Sequence, residues 1–83
     1  MQSDLFTNIK PCATEVVEYL FQKKIQKRIV ADERIIYTYK HSSPVVAKQH
    51  RNDKGECDGV LIQKVNFYGQ CVFARIYKGV VLS

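Results

Sequence analysis

The sequence contains no tryptophan, one methionine and two prolines, and none of its apolar runs approaches the roughly 20 residues that cross a bilayer as a helix. No membrane partner is expected. The N-terminal Met1-Gln2-Ser3-Asp4 has neither the basic nor the apolar stretch of a secretory signal, which points to a cytoplasmic protein. Cysteine is scarce and odd in number. Cys12, Cys57 and Cys71 form no disulfide framework, so reduced thiols are expected, with Cys12 and Cys71 as small buried hydrophobes and Cys57 exposed in a loop. Carboxylates are also few. Eight Asp and Glu against thirteen Lys and Arg leave a net charge of +5, which favours polyanions as partners.

The signatures of most enzyme classes are missing too. There is no glycine-rich phosphate loop and no nucleophile elbow, and Asp53, Glu56 and Asp58 do not follow the alternate-position pattern of a calcium loop. Zinc sites carry ligand pairs two to four residues apart, whereas His41, His50, Cys57 and Cys71 are separated by nine, seven and fourteen. No metal and no cofactor are expected.

What remains suffices for one small domain. Hydrophobic residues make up 46% of the 83 and are spread along the chain, which argues for a packed core over residues 1–83. Such a short chain buries only about 60 to 65% of its unfolded surface, so a partner or a homodimer would add stability.

Residues 1–12, with Leu5, Phe6 and Ile9, read as an ordered lead-in, and Pro11 suits a first helical turn. From residue 13 to 28 the apolar positions Ala13, Val16, Val17, Leu20, Phe21 and Ile25 recur every three or four, and Ile29 continues them. This spacing predicts an amphipathic helix, with Thr14 as its cap. Glu15 and Glu18 near its start and Lys23, Lys24, Lys27 and Arg28 near its end match the helix dipole. Ile29 and Val30 belong either to its last turn or to an earlier strand.

Beyond this point the period becomes two. Residues 34–40 alternate Ile35, Tyr37 and Tyr39 with other side chains, which predicts a strand. His41-Ser42-Ser43-Pro44 reads as a turn, 45–50 as a short strand and 51–59 as an exposed loop. Strands over 60–67 and 70–82 form a hairpin through Tyr68-Gly69, where glycine takes positive φ. The sum is an α+β domain, with one main N-terminal helix packed on a curved antiparallel sheet of about four strands.

One constellation stands out chemically. Lys23, Lys24, Lys27 and Arg28 cluster toward the helix end, while Phe73, Arg75 and Tyr77 alternate on one strand face. Interleaved cations and rings suit phosphates held by the cations and bases stacked on the rings. The competing reading places Phe73 and Tyr77 in a two-sided core or a dimer face. The apolar Val80-Val81-Leu82 reads either as an edge for another chain or as an intramolecular pairing.

His41, His50, Arg51, Tyr37 and Arg75 are the parts a small basic ribonuclease would use. In size, charge and order of elements the chain is similar to the RelE-like ribosome-dependent ribonuclease toxins, a resemblance that implies RNA cleavage and carries over no individual residue. With no complete catalytic set, the sequence favours a non-enzymatic binding or regulatory protein. Nucleic acid leads as its ligand. The alternative is a protein-protein interaction module or inhibitor of the kind phages and plasmids encode.

Overall fold

Alternation with a period of two governs the chain from Lys27 onward, and the computed structural model, which describes residues 11–82, turns it into five antiparallel strands. A helix, α1 (Ala13–Phe21), precedes β1 (Lys27–Ala31), β2 (Arg34–Tyr39), β3 (Ser42–Arg51), β4 (Cys57–Val65) and β5 (Cys71–Lys78). The order across the sheet is the order in the chain. Each strand is therefore hydrogen-bonded to its sequence neighbour, and the sheet is a meander of successive hairpins.

This overturns the α+β expectation of a main helix over 13–28. The protein is mostly β, and α1 has nine residues. Gln22 ends the helix in the left-handed region (φ 47°, ψ 39°), its N–H bonding the Glu18 carbonyl. Lys23 to Gln26 then lead away from it, and Lys27–Ala31, which contains the β-branched pair Ile29-Val30, pairs with β2 across the Asp32-Glu33 turn. Ladder formation with β2 wins over continuation of the helical stripe. The sheet has five strands rather than about four, because 27–31 is one of them.

The start of α1 also differs from expectation. Cys12, not Thr14, is the N-cap, and its N–H donates to Glu15 Oε1 at 3.2 Å. Pro11 lies one residue before the cap. Leu5, Phe6 and Ile9 of the expected lead-in lie outside the described residues.

In the register, Tyr37 faces Val45, Ile35 faces Ala47, Ala47 faces Ile62 and Gln49 faces Val60. Cross-strand partners share a face, so Ile35, Tyr37, Tyr39, Val45, Ala47, Val60 and Ile62 form one apolar layer. Ala13 and Val17 of α1 close onto this layer, with Val80, and all of these residues are buried. Each buried Val or Ile among them contributes about 1.5 to 3 kcal/mol.

The last residues clasp the first. The Ala13 N–H donates to the Val81 carbonyl at 2.8 Å and the Val81 N–H to the Pro11 carbonyl at 3.0 Å. Val81 thus pairs within the chain. Gly69 takes positive φ (81°), as the hairpin expectation requires. Cys71, expected in the core, is exposed on β5, while Cys12 is part-buried and Cys57 is exposed at the start of β4.

Candidate nucleic-acid interface

A meander has two ends, and here they differ in charge. One end gathers the crossover after α1, the start of β1, the β2–β3 turn and the β4–β5 hairpin. It carries Lys23, Lys24, Lys27, Lys40 and Lys64, with His41. The opposite end carries Asp32 and Glu33 in the β1–β2 turn, Asp53 and Glu56 in the β3–β4 loop, and Asp58 on β4, offset by Arg34, Arg51, Lys54 and Lys78. The remaining described carboxylates, Glu15 and Glu18, are on α1, where Glu18 acts on the Tyr39 phenol.

The helix terminus builds this lysine end. By turning left-handed at Gln22, the chain is sent across the end of the sheet, and the Gln26 N–H reaches the Thr38 carbonyl at 2.8 Å before β1 begins. Lys24, Ile25, Gln26 and Lys40 consequently line a common open cavity of about 400 Å³. Ile25 packs against the core and anchors the crossover.

Lys64 is the most constrained of these cations. Its Nζ lies 5.5 Å from the centre of the Phe21 ring and 5.9 Å from that of Tyr39. It donates to Ser42 Oγ at 3.1 Å and to the Ser43 carbonyl at 3.4 Å. Burial holds its amine below the ordinary lysine value, and the Lys23 charge adds to that effect. Phe73, the register partner of Lys64, stands edge-on to Phe21 at 5.5 Å. The surrounding rings favour cationic Lys64, while burial and Lys23 oppose it.

At the tip of the β4–β5 hairpin, Asn66 organises the turn. Its Oδ1 accepts from the N–H groups of Tyr68 and Gln70, each at 2.9 Å, and its Nδ2 donates to Gln70 Oε1 at 3.1 Å. Phe67 and Tyr68 point outward, 87% and 89% exposed. Sequence reasoning placed Phe67 at the end of a strand and did not single it out. The signal was the asparagine three residues ahead of Gly69, which fits a side-chain-capped turn.

The structure distributes the sequence-predicted residues unevenly. Lys23, Lys24 and Lys27 lie at the lysine end, and Phe73 joins them through Phe21 and Lys64. Arg28 lies on the helix-side face of β1 opposite Tyr37. There burial raises the Tyr37 phenol pKa, while the Thr14 hydrogen bond and the Arg28 guanidinium counter part of that rise. Arg75 and Tyr77 lie further along β5, the other edge of the sheet, with the Arg75 guanidinium carbon 5.8 Å from the Tyr77 ring centre. Arg28 is thus separated from Arg75 and Tyr77 by the three intervening strands.

The face of the sheet away from α1 carries Ile29, Ile36, Val46, Leu61 and Ile76 in a diagonal stripe across all five strands. Lys27, Arg34, Lys48 and Lys78 share this face, with Lys78 paired to Asp58 of β4 at 3.4 Å at its margin. Among the described residues, no element packs over it.

At the end opposite the lysines, His50 Nδ1 is 2.6 Å from Asp58 Oδ1. Cys57, Asp58 and Val80 help to line a neighbouring cavity of about 300 Å³. Among the described residues, no three His, Cys, Asp or Glu side chains gather as a metal site, and no helix is long and apolar enough to cross a membrane. No family model, curated protein or solved structure matches the chain, so the resemblance to ribonuclease toxins gains no support.

Proposed function

We propose that the protein binds nucleic acid through the lysine end of its sheet. The observation that carries this reading is the uneven distribution of charge, because Lys23, Lys24, Lys27, Lys40 and Lys64 converge from separate chain segments, while the carboxylates of the sheet collect at the far end and are offset there by Arg34, Arg51, Lys54 and Lys78. Such a field attracts a polyanion and orients it, with lysine ammonium groups replacing the counterions along a phosphate backbone. No base sequence is read by lysines alone, so binding through this end is tolerant of sequence.

Fluorescence anisotropy with a labelled mixed-sequence oligonucleotide, titrated over a salt series, tests this. In the Lys24→Glu/Lys40→Glu variant, affinity falls at least about tenfold and the salt slope flattens by between one and two counterions. The same reversal at Lys54, in the β3–β4 loop at the opposite end, changes little. Unchanged affinity and slope in the double variant, or no binding by the wild type, would overturn the reading.

The bare sheet face supports a second reading, a protein partner. Its aliphatic stripe within a cationic rim suits an amphipathic segment with carboxylates beside its apolar side, whereas a second copy would set Arg34 and Lys48 against like charges. A synthetic helical peptide with leucines on one side and flanking glutamates is the probe. This reading expects Ile76→Asp to abolish its binding, and a wild type indifferent to the peptide rejects it.

A further inference from the structure

The nucleic-acid reading leaves two large rings unexplained. Phe67 and Tyr68 are more exposed than any other large hydrophobic side chains described, at 87% and 89%. They extend from the hairpin that supplies Lys64. We infer that this tip is a stacking platform for unpaired bases, so that the ligand is a single strand rather than a duplex. The inference rests on the nucleic-acid reading and specifies its substrate class.

The tip is built to hold those rings outward. Besides the Asn66 side-chain bonds, the Asn66 N–H donates to the Gln70 carbonyl at 2.9 Å and the Gly69 N–H to the Asn66 carbonyl at 3.0 Å. Gly69 supplies the positive φ (81°) that closes the turn, with open space around it. A backbone fixed in this way loses little further freedom when a ring is covered. In water the exposed rings are a liability that a buried position would remove, and the turn chemistry prevents their retreat.

The surroundings select the ligand. Lys64 lies three residues before Phe67, at most about 10 Å of chain, so one extended ligand can reach both ammonium group and rings. The β2–β3 turn bearing Lys40 and His41 ends on the same side, because β3 and β4 are neighbours. No carboxylate belongs to either turn. Rings beside cations fit a ligand that offers flat faces and phosphates together, and in a duplex those faces are already covered by neighbouring base pairs.

The test compares the wild type, the Phe67→Ala/Tyr68→Ala variant and the lysine variant above on one labelled 20-nucleotide strand and on its duplex. The wild type is expected to prefer the single strand. The aromatic variant loses roughly tenfold or more on the single strand, keeps its duplex affinity and keeps the wild-type salt slope. Tyr68→Phe retains binding, since the ring face is what acts. Circular dichroism checks folding, which such exposed side chains do not govern. If the wild type binds both forms equally, or the aromatic variant matches it on the single strand, the platform is rejected while the lysine site stands. If the wild type binds neither, both fail.

Discussion

His50 Nδ1 lies 2.6 Å from Asp58 Oδ1, and Lys78 Nζ lies 3.4 Å from the other oxygen of the same carboxylate. One acid therefore joins β3, β4 and β5 where the sheet ends. The hydrogen bond from His50 is the main cause that holds the Asp58 carboxyl below its ordinary value; burial, the next largest, opposes it, and the Lys78 hydrogen bond adds a smaller lowering.

A carboxyl with a lowered folded-state pKa stabilises the fold above its unfolded value, about 3.9, and loses that contribution as pH falls through the folded value. Urea midpoints measured from about pH 7 to pH 2 are expected to drop along an acid limb that begins near pH 4. In Asp58→Asn this limb is shallower. Glu15, also lowered by its bonds to Cys12, accounts for part of what remains. An unchanged acid limb would remove Asp58 from this role.

Thr14 Oγ1 and Tyr37 Oη are 2.9 Å apart, and Tyr37 has no exposed surface. This bond ties α1 to β2 in the middle of the core. Tyr37→Phe is expected to cost about 1 kcal/mol in urea unfolding. Thr14→Val is expected to cost at least as much, because it takes a partner from a buried hydroxyl. A double-mutant cycle should show coupling between the two changes.

Gln22 occupies a left-handed position that glycine adopts without strain. Gln22→Gly should raise stability by about 1 kcal/mol, whereas Gln22→Ala, which keeps a Cβ, should not. Thermal melts of both variants separate the backbone effect from loss of the glutamine side chain.

Gly59 has the opposite requirement. A Cβ there would run into the Tyr77 carbonyl oxygen and lie 2.9 Å from the Lys78 Cα. Since both are backbone atoms of β5, no rotamer change relieves the clash. Gly59→Ala is expected to lose about 2 kcal/mol, read as a lower urea midpoint.

Much of the sheet was legible. Ile35, Tyr37 and Tyr39 alternate cleanly, and the hairpin at Gly69 follows from turn chemistry and flanking alternation. The helix end was not legible, for a physical reason. Ile25 continues the three-and-four spacing and does pack on the core, but from an irregular crossover, so the stripe is real while the helix is not. Sequence could cluster Lys23, Lys24 and Lys27 because they are neighbours. That Lys40 and Lys64 join them depends on the hairpin registers, which no single segment encodes. Phe73 and Tyr77 belong to the helix-side face of β5, and the most exposed rings are Phe67 and Tyr68, where a turn rather than a strand presents them.

The clasp between residues 11–13 and Val81 joins the two ends of the described chain by backbone hydrogen bonds, in a fold whose strands all pair with sequence neighbours. The meander can zip one hairpin at a time, each step closing a short loop at small entropic cost. α1 can settle on the sheet early, but its N-terminal end is secured only when the C-terminal residues fold back. The same adjacency makes the chain a natural substrate for circular permutation. Joining residue 82 to residue 11 by a short linker and reopening the chain at Gly55 would turn its slowest closure into its most local one.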